Sequence, residues 1–323
     1  MQLTYSAVWL GALLSALAGC VVTPAYVPET QPLDAGRLPA PDVVAYIPGL
    51  GPCTDTPDRS VHLNSQHPVT VLVHGCKGSA GRFRSLAQLY AFHGQQAVCS
   101  SYDDRASLLR SSGELVTALE GLSGHMQNRN LSVLGHSMGG LVARKALERY
   151  RPDPWQRDDV DLKLLTISAP FAGIEVAGTC GDKAAQWLSL GIVPGICKAI
   201  TGDNWYEITS ASEFIQNPGP LLPTVQKFLK VVTDERNTCR QRDDNGHCVA
   251  SDYVFSLGEQ YQPLVDRSPQ LINVEVGAGH VEIVGDKNMV PRKLLAILQE
   301  QKMLSPTPPE RRAALERLLA ELY

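Results

Sequence analysis

Residues 133–147 read VLGHSMGGLVARKAL. An apolar run at 131–134 predicts a buried strand, and the spacing over 139–150 predicts a helix. Gly135-His136-Ser137-Met138-Gly139 lies between them and fits G-x-S-x-G. A serine at such a strand-to-helix corner is forced into a strained backbone. Its neighbours must be small, because bulk would strike the adjoining strand and helix. The helix N-terminus also favours negative charge developing nearby. A glycine-rich turn with an idle serine would read the same way, so the rest of the chain has to decide.

Outward from this corner the pattern repeats. Short β-branched or apolar runs at 68–73, 96–99, 162–167, 231–232 and 272–276 predict strands. Helical spacing occupies 80–93 and 108–126 between them. Strand and helix in alternation predict an α/β fold with a mainly parallel sheet and helices on both faces. Residues 173–223 break the rhythm with Trp187, Trp205, glycines and prolines, and read as a cap or lid insertion. The segment 303–323 closes the chain as an amphipathic helix, with Ala314, Leu315, Leu318, Leu319 and Leu322 on its apolar side. The main domain is expected over 60–302.

The beginning of the chain is of another kind. The apolar stretch at 7–18 is too short to span a bilayer and fits the h-region of a signal peptide over 1–20. Leu17-Ala18-Gly19-Cys20 resembles a bacterial lipobox, which implies acylation of Cys20 and a lipid-anchored protein of the bacterial cell envelope. Val21 after the cysteine leans toward the outer membrane by the same analogy. The other reading is an ordinary secretory signal cut near Ala18, giving a periplasmic or secreted protein. The proline-rich stretch 21–59 is expected to be an extended tether.

Export gives the eight cysteines meaning. Cys239 and Cys248 bracket a polar loop and are expected to pair, as are Cys180 and Cys197 around a helix-like stretch. Cys53, Cys76 and Cys99 compete for a third bridge, and spacing leaves the choice open. The chain is 44% hydrophobic and 19% charged, enough for a large core. A net charge of -4 offers no electrostatic reason to expect a nucleic-acid partner. No metal site is implied, because no CxxC with companion histidines occurs.

Two further segments bear on Ser137. VLVHGCKGSAGRF ends a strand in His74-Gly75 and starts a glycine loop. Backbone N–H groups there and after the serine, those of Cys76 and Met138, are candidates to bind an oxyanion. Gly277-Ala278-Gly279-His280 follows the last strand, which makes His280 the candidate base. His74 and His136 read as structural. The acid is expected between the two. Asp252, in Ser251-Asp252-Tyr253-Val254, is preferred over Asp234, which ends LKVVTD, and Asp266 comes third.

Together these residues resemble the α/β-hydrolase superfamily, and within it the bacterial lipases and esterases, over about 69–298. GHSMGG at 135–140, HG at 74–75 and the late GxGH carry the resemblance. SAPFAG at 168–173 is similar to the lipase T-P-H-x-G loop, with Phe171 where histidine is common. SDYVFS at 251–256 is similar to the D-G-V-V segment that carries the acid, with Tyr253 where glycine is common. The resemblance implies a serine hydrolase of carboxylic, lipid or aryl, esters without a cofactor. Its substrate partner would be a small-molecule or lipid ester, met at a membrane through the N-terminal anchor. Ser137 would be the nucleophile, His280 the base, Asp252 the acid, and Cys76 and Met138 the oxyanion donors. An acyltransferase or thioesterase would use the same groups, and a non-catalytic envelope lipoprotein could reuse the scaffold.

Overall fold

The computed structural model of the chain describes residues 38–174, 206–287 and 289–323. Eleven strands are described: β1 (Val43–Ala45), β2 (Leu50–Gly51), β3 (Val61–Leu63), β4 (Val69–Val73), β5 (Gln96–Ser100), β6 (Asn130–His136), β7 (Asp161–Ile167), β8 (Val225–Asp234), β9 (Cys239–Arg242), β10 (Cys248–Ser251) and β11 (Leu271–Gly277). Seven of them form one sheet in the order β11-β8-β7-β6-β4-β5-β2. All its pairings are parallel except β2 with β5.

The central strands are near-continuous apolar runs because both faces of the sheet are covered. All five residues of β4 are buried. Alternation then sorts the side chains. Val69, Val71, Val73, Leu131, Val133, Leu164 and Phe228 join one core with helices α2 (Leu108–Gly124) and α3 (Met138–Ala146). Leu72, Leu134, Leu165, Leu229 and Val231 join the other core with α1 (Arg84–Phe92), α4 (Arg292–Glu300) and α5 (Arg312–Leu322). Each fully buried Val or Leu contributes about 1.5–3 kcal/mol relative to an exposed one. On α5, Leu319 is buried and Leu315, Leu318 and Leu322 pack against this second core. Arg292 of α4 binds Glu316 of α5 through both terminal guanidinium nitrogens, at 2.9 and 2.7 Å.

The tether expected over 21–59 needs correction in its second half. From residue 38 the chain is part of the folded body. β1 pairs antiparallel with β3, and β2 adds an edge to the main sheet. Asp42 accepts the backbone N–H and the hydroxyl of Ser65, at 2.7 and 2.8 Å. A disulfide joins Cys53 to Cys99 of β5, leaving Cys76 as a free, exposed thiol. Cys239 and Cys248 are bonded at the ends of β9 and β10. Residues 1–20, Cys20 among them, the Cys180–Cys197 pair and most of the proposed cap lie outside the described residues. Among the described residues no helix is long and apolar enough to cross a membrane.

Candidate active site

β6 ends at His136 and α3 begins at Met138, so Ser137 has to turn the chain alone. It does so at φ 56° and ψ −129°. That is left-handed territory for a residue with a side chain, and it costs on the order of 1–3 kcal/mol. The corner is clamped on both sides: Ser137 N–H donates to Ile167 O at 2.9 Å, and Gly140 N–H donates to Ser137 O at 2.9 Å. A Cβ on Gly139 would overlap the carbonyl oxygens of Val73 and His74. Close approach of α3 to β4 thus requires glycine here.

The loop after β4 lies directly against the serine. A Cβ on Gly75 would come 2.8 Å from Ser137 Cβ. The loop is held from three directions. Asp55 accepts Gly81 N–H and Ser79 Oγ–H, both at 2.9 Å. Asp104 accepts the N–H of Lys77, which sits at φ 56°. Tyr102 donates its hydroxyl to His74 O at 2.6 Å and stacks on the His74 ring. Gly75 thus lies against the serine with Cys76 next along the loop, and Met138 opens α3 directly after the serine. His74, buried with Nδ1 on Gly75 O, shapes the loop.

His280 reaches the corner from the loop after β11. His136 Nε2 donates to His280 O at 2.9 Å, and the two rings lie 4.7 Å apart. His280 Nδ1 meets Glu235 Oε1 at 2.9 Å. Glu235 is 1% exposed, yet it is charged. Burial alone would raise its pKa. The bond to His280 and its charge, Phe255 N–H and the Ser168 hydroxyl outweigh burial and hold the carboxyl below the usual range. Its Oε2 accepts the N–H groups of Val254 and Phe255 at 2.6 and 2.8 Å. The Phe255 ring stands edge-on to His280 at 4.8 Å. Because Nδ1 faces a carboxylate it carries the proton, which leaves Nε2 as the basic nitrogen. Among the described residues neither Nε2 nor Ser137 Oγ makes a hydrogen bond. Such bonds are commonly loose before substrate binds.

Residues 64–189 match the family model "Putative serine esterase (DUF676)". Among solved structures, the lipase BlEst2 of Bacillus licheniformis in its propeptide form superposes with TM-score 0.51 at 15% identity, over 80% of this chain and 54% of that one. The chain has the α/β-hydrolase fold. The mature form of the same lipase gives 0.49 at 16% identity, over 78% of this chain and 96% of that one. An esterase of Pyrococcus furiosus gives 0.49 at 16%, over 88% and 98%. No curated protein matches the chain.

The carboxylate against the His280 ring is not one of the expected aspartates but Glu235, one residue beyond β8. Asp252 does not touch the His280 ring. Its carboxylate accepts the N–H groups of Val281 and Glu282, and its carbonyl accepts His280 N–H at 2.9 Å. It shapes the histidine loop from behind, and burial pushes its pKa up. Asp234 is bound by Arg236, which lowers its carboxyl to about 2. Asp266 pairs with buried Lys230 at 2.5 Å. Strand parity explains the outcome. Leu229, Val231, Thr233 and Glu235 fall on one side, and Asp234 falls on the other. The usable signal was the carboxylate that continues the parity of the buried residues, with glutamate admitted beside aspartate.

His136 provides a pH-dependent test of this packing. Burial first, then the neighbouring His280 ring, lower its pKa from 6.5 to about 3. The unfolded chain therefore takes up a proton below pH 6.5 that the folded chain refuses until about pH 3. Stability contributed by neutral His136 is complete above pH 6.5 and falls with pH, at up to about 1.4 kcal/mol per unit. Thermal unfolding from pH 7 to pH 4 will show a steeper fall in Tm for the natural protein than for His136→Gln. Parallel curves would refute the assignment.

Proposed function

We propose that the chain is a serine hydrolase of carboxylic esters, acting through Ser137, His280 and Glu235. One observation carries this reading: the serine at φ 56° on a strand-to-helix corner directly follows His136, which bonds the backbone of His280 and lies against its ring, and His280 Nδ1 is bound by a buried, ionised carboxylate. Ser137 Oγ attacks the acyl carbon while His280 Nε2 takes its proton. Glu235 keeps the proton on Nδ1 and stabilises the imidazolium as it forms. The tetrahedral oxyanion is met by the N–H groups of Met138 and Cys76, aided by the N-terminus of α3. His280 then returns the proton to the leaving alcohol. Water, deprotonated by the same nitrogen, resolves the acyl-enzyme.

Lipid or aryl esters are the proposed substrate class. The family description and the lipase and esterase folds it shares support ester cleavage. Leu17-Ala18-Gly19-Cys20 supports a lipid anchor at Cys20, which would bring the site to an envelope membrane, in our reading the outer one. A fluorophosphonate probe will label Ser137, found by peptide mapping, and a chain-length series of p-nitrophenyl esters will define the acyl group accepted. Absence of labelling in folded protein would favour a non-catalytic scaffold.

A further inference from the structure

Ser168 directly follows β7 and opens the SAPFAG segment. It is fully buried and sits at φ 50°, where glycine would be cheaper by on the order of 1 kcal/mol. A serine kept under that strain needs a use for its hydroxyl. Ser168 Oγ lies 2.7 Å from Glu235 Oε1, 3.0 Å from His280 Nδ1 and 2.5 Å from Thr233 Oγ1. Thr233 Oγ1 is itself 3.0 Å from Glu235 Oε1. Thr233 is fixed in turn by the fully buried Gln260. Its Oε1 accepts Thr233 N–H at 2.9 Å, and its Nε2 donates to Thr233 O at 2.8 Å.

The hydroxyl protons can be assigned by counting. The contact between the two hydroxyls needs one proton. If Ser168 gave its proton to Thr233, only lone pairs would face Glu235 Oε1 across 2.7 Å, and two oxygens would repel. Two hydroxyl protons serve three contacts, and the longest, Thr233 Oγ1 to Glu235 Oε1 at 3.0 Å, is the one best left without: Thr233 then donates to Ser168, and Ser168 donates to Glu235. The proton on His280 Nδ1 is shared between Glu235 Oε1 and the remaining lone pair of Ser168. Each bond in this chain polarises the next.

We propose that Ser168, oriented by Thr233, is a positioning residue of the site. It holds Glu235 Oε1 from one side and receives Nδ1–H from the other, so the imidazole keeps one plane while Nε2 gains and loses its proton. This rests on the Ser137–His280–Glu235 reading above. It adds that the hydroxyl pair acts as a relay rather than as two separate supports.

Steady-state kinetics on p-nitrophenyl butyrate with the full chain tests this. Ser168→Ala is expected to lower kcat about tenfold to a hundredfold, as for a lost bond to a charged group, with KM nearly unchanged. Thr233→Val is expected to lose less, and Thr233→Ser to retain activity. The double variant Ser168→Ala/Thr233→Val should be little worse than Ser168→Ala alone, because Thr233 acts mainly through Ser168, its own contact with Glu235 being the longer one. Unchanged kcat in folded Ser168→Ala, or losses that multiply in the double variant, would overturn the proposal. Should Ser168→Ala not fold, equal activity of Thr233→Val and Thr233→Ser overturns it. Glu235→Gln separates the two levels. If that variant stays fully active, the triad reading fails. If it is inactive while Ser168→Ala is unimpaired, only the relay fails.

Discussion

Ser137→Ala will lower ester hydrolysis about a millionfold, to the residual rate that oxyanion donors and binding supply. In the proposed mechanism this serine forms the covalent bond, and no neighbouring hydroxyl can take over. Ser168, the serine on His280 Nδ1, is fully buried and bound to Glu235. The fold should hardly notice the change. Alanine keeps the left-handed backbone at the same cost, and Ser137 Oγ has no hydrogen-bond partner to lose among the described residues. Ser137→Gly is the more informative companion. It too is inactive, but glycine relieves the strain at φ 56°, so Tm should rise while activity disappears. Catalysis remaining within about tenfold of normal in either variant would remove Ser137 from the mechanism.

The legible parts of the molecule are those encoded by local periodicity. β4, β5, β6 and β7 stand within a residue or two of the apolar runs that predict them, because strands buried on both faces have to be apolar throughout; β11, an edge strand, was legible from its alternating Ile272, Val274 and Val276. The corner at Ser137 was readable for a related reason: a turn this tight can be made only with small flanking residues. β8 was read at two residues and extends from Val225 to Asp234. Lys227 and Lys230 interrupt its apolar pattern. Lys230 is tolerated in the interior only because Asp266 and the face of the Tyr261 ring receive its ammonium group.

Segment 38–63 was hidden differently. Its strands are two or three residues long and owe their order to distant partners, Val43 opposite Leu63 and Leu50 opposite Ser100, and to a disulfide whose pairing spacing left open. The hydroxyl relay had no local signature either. Ser168, Thr233 and Gln260 come from three separate segments and meet only when the sheet and its loops have formed.

Glu235→Gln will lower kcat about ten-thousandfold, and the reason lies in how the donors surround the carboxylate. Oε2 faces two backbone N–H groups, those of Val254 and Phe255. Those donors cannot turn away, so the carbonyl oxygen of glutamine must sit there. Its NH2 group then faces His280 Nδ1, where only an acceptor suits a protonated nitrogen. The ring is driven to the other tautomer, with the proton on Nε2, and the base is lost. Asp252→Asn should differ sharply. Asp252 accepts backbone N–H groups behind the ring, and an amide oxygen can keep part of that role, so the loss should be only severalfold. The acid limb of stability gives an independent check. Ionised Glu235 contributes stability that is complete above its ordinary value of 4.5 and is lost as pH falls through its depressed folded value. Glu235→Gln lacks that contribution, so its Tm should fall less between pH 5 and pH 3 than that of the natural protein. If Asp252→Asn proves the crippled variant and Glu235→Gln the active one, the carboxylate that orients His280 during turnover is Asp252, and the loop carrying it must move to reach the ring.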